Sequence, residues 1–192
     1  MGYPPQGLWG GGAVTITEHH YAFRMDRESF AIWDGDYGGW CCRSKNALYS
    51  ISSILLTKPQ YGFGTYRCYG KILLNGTPSV LYTLGFERHH GFFEEGIIGF
   101  FRGVNYYNVV TAWDGTYTIT SLTGQDWTIE REFKIVWTST QVDFYVDGSL
   151  VASHTTDIPQ SELSWFIESS TPTTELPGGE IGVWQRNFEK IE

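Results

Sequence analysis

Glu94 and Glu95, preceded by His89 and His90, form the densest group of acid–base and metal-ligating side chains in this sequence. Carboxylates and imidazoles held close together can move protons or bind a cation. Their spacing works against both uses. Neighbouring residues on a strand point to opposite faces, so Glu94 and Glu95 diverge and do not make a paired acid and base. His19-His20 has the same geometry, and no third ligand stands at a fixed spacing from either histidine pair. No metal is expected, and Glu95 is the one catalytic candidate this group leaves. Among the thiols, only one of Cys41 and Cys42 could reach Cys68 for the same alternation reason; the alternative is three free, partly buried cysteines. No Ser-His-Asp or Cys-His signature and no phosphate-cradling loop is present. Asn75-Gly76-Thr77 matches a glycosylation sequon, but Asn-Gly is also a hairpin turn, and the turn is the preferred reading.

The elements that position these groups are strands. Val142, Phe144 and Val146 alternate with Asp143 and Tyr145, and Asp147-Gly148 then supplies a turn that tolerates positive φ before Leu150 and Ala152. Leu163, Trp165 and Ile167 alternate with Ser164, Phe166 and Glu168. Further strand-like runs are 13–17, 21–25, 47–56, 65–74, 79–86, 97–101, 104–111, 116–120, 129–137 and 181–184. Short strands between turn signals indicate a sandwich or barrel. Helical periodicity is confined to one turn around Pro159–Glu162. Trp33–Trp40 reads as a long glycine-rich loop, and Ser169–Gly179 as another. Ala31-Ile32-Trp33-Asp34-Gly35 is echoed by Thr111-Ala112-Trp113-Asp114-Gly115, which is too short for a repeat. No domain boundary is visible, so residues 1–192 are expected to form one domain.

Residues 61–71, YGFGTYRCYGK, resemble the strand YGYGxYEVRMK of lichenase- and laminarinase-type glycoside hydrolases. Phe133–Pro159 resembles the same group's YAFDWxPxxIxWYVDGxLxxTxxxxIP stretch through Trp137, Tyr145-Val146-Asp147-Gly148, Leu150 and Ile158-Pro159. Ile181–Phe188 resembles its closing strand. The resemblance covers about the last two-thirds of the chain. It implies an all-β, concanavalin A-like jelly-roll sandwich of two curved antiparallel sheets, the concave one forming a sugar-binding cleft. In these hydrolases a strand of pattern E-x-D-x-E lines that cleft; its first Glu is the nucleophile and its last the acid/base of retaining hydrolysis. The matching stretch here is Phe92–Gly103, FFEEGIIGFFRG. One register places Gly96, Ile98 and Phe100 at the three acid positions, and the other places Glu95, Ile97 and Gly99 there. Either way the acid/base position holds a residue that cannot donate a proton. Calcium, bound by some relatives through a carboxylate of the last strand, would meet Gly182 here, so no cofactor is expected.

The resemblance puts Arg67 and Tyr69 at cleft-facing positions, where they could hydrogen-bond sugar hydroxyls and stack on a pyranose. Alternatively, Arg67 pairs with Glu168 or Asp143 and closes the cleft floor. Alternation adds Phe100, Phe166 and Glu168 to the same concave face, with Asn108 from the neighbouring strand. Trp33, Trp40 and Trp113 sit in or beside glycine-rich turns, where aromatics either face a ligand or anchor a loop.

The 21 acidic and 13 basic residues give a net charge of −8, a field that repels nucleic acid and anionic lipid heads. No apolar run approaches the ~20 residues that span a bilayer. The first residues, Met1-Gly2-Tyr3-Pro4-Pro5, do not read as a signal peptide, so an extracellular, surface or virion location requires a removed leader or carriage on a larger particle. The leading expectation is a non-catalytic, lectin-like module for a polysaccharide or glycan. Two alternatives stand beside it: a self-assembling structural subunit of a virion, filament or surface layer, and a glycoside hydrolase with relocated carboxylates, such as Glu95 with Glu168.

Overall fold

A computed structural model describes the backbone of residues 14–16, 20–24, 29–36, 38–45, 52–57, 60–75, 81–88, 96–103, 106–170 and 180–192. Side chains are described for 35–36, 38–39, 41, 60–72, 84–88, 96–103, 106–167 and 183–192. The described residues form fifteen strands and no helix. They are β1 (Val14–Ile16), β2 (His20–Arg24), β3 (Ser29–Asp34), β4 (Gly39–Lys45), β5 (Ser52–Thr57), β6 (Gly64–Asn75), β7 (Leu81–Glu87), β8 (Ile97–Arg102), β9 (Tyr107–Trp113), β10 (Thr116–Leu122), β11 (Arg131–Trp137), β12 (Val142–Val146), β13 (Ser149–His154), β14 (Ser164–Ser170) and β15 (Glu180–Lys190). Two antiparallel sheets result: an eight-stranded one ordered β1-β2-β5-β14-β7-β8-β9-β10, and a seven-stranded one ordered β13-β12-β11-β6-β15-β4-β3. The helical turn expected near Pro159 is absent; Leu163 instead forms a bridge with Tyr61.

Aromatic side chains meet between the sheets. From the eight-stranded sheet come Leu84, Phe86, Ile98, Phe100, Val109, Trp165 and Ile167; from the other come Tyr66, Cys68, Phe133, Ile135, Trp137, Val142 and Phe144. The rings engage edge to face, as their quadrupoles prefer. Phe100 lies 4.9 Å from Phe133 and 5.4 Å from Phe144, while Phe86 lies 4.7 Å from Tyr66 and 5.0 Å from Trp165. In β15 a bulge between Arg186 and Glu189 reverses the inside–outside phase. Asn187 there takes φ 51°, which brings Phe188 inward to stack on Trp165 at 4.1 Å.

The turns follow the sequence where a left-handed pair was legible. Asp147 and Gly148 have φ 50° and 77°, and Asp114 and Gly115 have 53° and 77°. The stretch 33–40 departs from expectation: it is a hairpin rather than a long loop, with Trp33 paired to Trp40 and Asp34 to Gly39. The Trp-Asp-Gly echo therefore marks two hairpin ends, not a repeat. The thiols also separate. Cys68 faces the core and Cys41 takes the opposite phase beside Trp184, both unbridged, and burial pushes the Cys68 thiol far up. Cys42 pairs through Val183 with Ile72, four residues along β6 from Cys68, beyond disulfide reach.

A polar clasp joins β9 and β10 to the end of β13 and the segment that follows it. Thr111 Oγ1 donates to the Thr156 carbonyl oxygen (3.2 Å), so it accepts from His154 Nδ1 (2.9 Å); Nε2 is then left to accept from Thr120 (2.9 Å). Asp157 accepts from Thr116 and Thr118 at 2.5 and 2.6 Å. Burial holds the His154 pKa below its usual 6.5, with Asp157 opposing, and the two threonine bonds hold Asp157 below its usual 3.8. Both shifts have the same sign in stability: the unfolded chain takes up the proton first, so stability is complete above pH 6.5 and declines as pH falls. Melting temperature should drop between pH 7 and pH 5, and His154→Gln should flatten that slope. A second prediction concerns the core: Phe100→Ala should cost about 3–5 kcal/mol in urea unfolding.

Candidate functional site

The face of the eight-stranded sheet that points away from the core carries the candidate site. Cross-strand partners share a face, so the register defines three rows on it. One runs Ser164, Glu87, Ile97, Ala112, Tyr117; the next Phe166, Gly85, Gly99, Val110, Ile119; the third Glu168, Thr83, Phe101, Asn108, Ser121. On β8 the outward residues are thus Ile97, Gly99 and Phe101. Of the two registers for the E-x-D-x-E strand, only the one running through Glu95, Ile97 and Gly99 points outward, and Glu95 lies outside the described residues. The register through Gly96, Ile98 and Phe100 points into the core.

Phe100 is accordingly no ligand contact. It is 1% exposed between the sheets, because its phase is one residue away from the outward one. Phe166 does take the outward phase but is also 1% exposed. Its row neighbour is Gly85, where an added Cβ would run into the Ile98 carbonyl oxygen, so no side chain can stand there. Glu168 shares that phase by register, and its side chain lies outside the described residues. Asn108 is outward and half-buried, and its Oδ1 is enclosed with no hydrogen-bond partner among the described residues. Trp113 is half-buried in the inward phase of Thr111, with ring atoms 3.1 Å from where a Cβ of Gly96 would stand. It anchors that turn.

Arg67 and Tyr69 are not on this face at all. They project from β6, in the seven-stranded sheet, on the opposite side of the sandwich. Neither Glu168 nor Asp143 is the partner of Arg67. Its Nε and Nη2 both donate to Glu189 Oε1 at 3.0 and 2.5 Å, Glu132 stands 3.7 Å away, and the Tyr69 hydroxyl donates to Glu132 at 3.0 Å. These carboxylates raise the Arg67 and Tyr69 pKa values, the Glu189 and Glu132 hydrogen bonds contributing most. Arg186 and Glu130 extend the network at 2.6 Å. Trp33 and Trp40 belong to the same sheet, as a cross-strand pair in the β3–β4 hairpin, with side chains outside the described residues. The expected set is therefore split between two faces: β6 turns Tyr66 and Cys68 inward and Arg67 and Tyr69 outward, but in the other sheet.

Three kinds of residue on the outward face escaped the sequence. Glu87 is 2% exposed beside Ser164 and Ile97, one position past the run read as ending at 86. Tyr117 and Ile119 are 59% and 46% exposed, and Tyr106 is 43% exposed. The phase of residues 116–120 was visible in the sequence; which sheet edge it occupied was not. Among the described residues no three His, Cys, Asp or Glu side chains converge on a metal-sized site, and the pairs at 19–20, 89–90 and 94–95 lie outside the described side chains. Because Arg67 is engaged on the far side of the sandwich, Arg67→Ala should leave any glycan affinity unchanged in a calorimetric titration; a large loss would put the binding surface on β6.

No protein-family profile matches the chain, and no curated protein matches it by sequence. Solved structures do match. A β-glucanase of Bacillus licheniformis is similar at 14% identity over 91% of this chain and 95% of its own, with a TM-score of 0.64. An endo-acting O-glycanase of the human gut microbiota, which initiates mucin breakdown, aligns at 11% identity over 96% and 97%, with a TM-score of 0.66. A family 7 alginate lyase aligns at 13% identity over 85% and 83%, with a TM-score of 0.59. One scaffold thus carries hydrolytic and eliminative chemistries, and likeness at this identity speaks for the fold alone. The chain has the all-β jelly-roll sandwich fold of the concanavalin A-like glucanases.

Proposed function

We propose that this chain is a non-catalytic carbohydrate-binding protein that uses the outward face of the eight-stranded sheet. The observation that carries this reading is the outward row of β8, where Ile97, Gly99 and Phe101 stand and no carboxylate does. A retaining glycosidase needs two carboxyl groups about 5–5.5 Å apart across the scissile bond, and none of these three side chains can supply one. Support for a sugar ligand comes from the glycan-active proteins that share the fold and from the apolar, aromatic character of the face, which suits the flat side of a pyranose. Such a role places the protein outside the cell or on the surface of a particle, with a polysaccharide as its partner.

A second reading, a hydrolase with relocated carboxylates, has one observation in its favour. Glu87 and Glu168 occupy outward rows four residues apart on neighbouring strands, the same offset that separates the first and last acids of E-x-D-x-E. Against it, Glu87 is 2% exposed and closed off from a polymer. One experiment separates the two. The protein is run through gels cast with laminarin or barley mixed-linkage β-glucan, and incubated with the same polymers while reducing ends are counted. Retarded migration with background release is expected. Release above background that disappears in Glu87→Gln or Glu168→Gln would establish the hydrolase.

A further inference from the structure

On the outward face, exposure changes abruptly from one strand to the next. Ile97, Val110, Ala112 and Phe166 are 4%, 3%, 0% and 1% exposed, whereas Tyr117 and Ile119, the row partners of Ala112 and Val110, are 59% and 46% exposed. In these two rows the accessible apolar surface therefore begins at β10, the edge strand; on β8, which the resemblance matches to the catalytic strand, Phe101 alone is half-exposed on this face. At the other end of the same edge, the Tyr106 ring, 43% exposed, lies where a Cβ of Gly103 would project. Gly103 continues the outward phase of Ile97, Gly99 and Phe101, so this ring is on the outward side too. Tyr117 pairs with Ala112, six residues along from position 106, so the two rings are separated by ~20 Å of strand. Between them stand the Ser121 hydroxyl and the Asn108 amide, whose enclosed Oδ1 has no partner among the described residues.

We propose that a neutral polysaccharide lies along the β9–β10 edge, with sugar rings stacked on Tyr117 and Tyr106 and hydroxyls bonded to the exposed Ser121 between them. The proposal rests on the carbohydrate reading above and moves the contacts from the centre of the face to its rim. Charge selects the ligand class: β10, Thr-Tyr-Thr-Ile-Thr-Ser-Leu, contains no carboxylate and no cation, so it offers an anionic polymer no counter-ion, and the net charge of −8 repels one. The edge is also fixed in advance. Thr116 and Thr118 are held by Asp157 and Thr120 by His154 on the inward side, so presenting the rings requires no further ordering.

The test is calorimetric titration of the whole chain with laminarin oligosaccharides, barley β-glucan oligosaccharides and alginate oligosaccharides. The neutral ligands should bind and alginate should not. Tyr117→Ala and Tyr106→Ala should each weaken binding about tenfold, Tyr117→Phe should retain it, and near-ultraviolet circular dichroism should show each variant folded. In the wild type, laminarin should also protect Tyr106 and Tyr117 from nitration. If the wild type binds but the double alanine variant binds equally well, or if neither tyrosine is protected, the rim assignment is wrong while the carbohydrate reading stands. Tighter binding of alginate than of the neutral ligands also overturns it. Binding of none of the three overturns both.

Discussion

The phase of each strand is set by where its aromatic side chains go, and in this molecule they go between the sheets. Phe86 meets Tyr66 edge to face and Trp137 at a tilt, and Phe100 meets Phe133 and Phe144 edge to face, so two ring clusters fill the space between the sheets. A large ring loses on the order of 3–5 kcal/mol when truncated from such a site. A one-residue slip of β8 would expel both Ile98 and Phe100 and bury Gly99, leaving a void, so the register is strongly specified. Everything on the outward face follows. Once Ile98 and Phe100 are inside, Ile97, Gly99 and Phe101 must be outside, and the identity of the groups offered to a ligand is fixed by packing on the other side of the sheet.

The same constraint explains what the sequence could and could not disclose. Strand existence was legible because alternation is local: residues 116–120, 142–146 and 163–168 all show it within a few positions. The Asp147-Gly148 and Asp114-Gly115 turns were legible because positive φ needs particular residue types. Phase was legible only where polar and apolar residues alternate. In Ile97–Phe101 both faces are apolar, so nothing in the stretch itself says whether Phe100 or Gly99 faces the partner sheet, and Phe100 was misplaced for that reason.

Sheet membership is a longer-range property still. The resemblance put Arg67 and Tyr69 on the cleft face, but which sheet β6 joins depends on its pairing with β11 and β15, partners more than fifty residues away. The charged residues that meet Arg67 come from those strands, and Glu189 reaches it only because the β15 bulge at Asn187 reverses the phase. A bulge leaves almost no trace in composition. The 33–40 hairpin was hidden differently: glycines that favour a loop reading are also compatible with a strand whose backbone is closely approached. At Gly39 an added Cβ would strike the backbone of Gln185, which is why glycine stands in a strand there.

Function on such a scaffold depends on which outward positions are left uncovered, and those are not the ones a catalytic strand would need. Ile97 and Val110 are apolar and sealed, while the charge-free edge strand beyond them is open. An exposed edge without Lys, Pro or a bulge invites pairing with another chain unless something restrains it. Here the inward threonines of β10 are tied down through their hydroxyls by Asp157 and His154. Those bonds fix the strand's side chains rather than its outer backbone edge. They hold the strand that carries Tyr117 and Ile119 in place, so a ligand stacking on the Tyr117 ring loses less conformational entropy on the protein side than it would against a loop. Stability of the clasp and affinity at the rim are thereby linked through one strand, and protonating His154 weakens the support on which the outward surface rests.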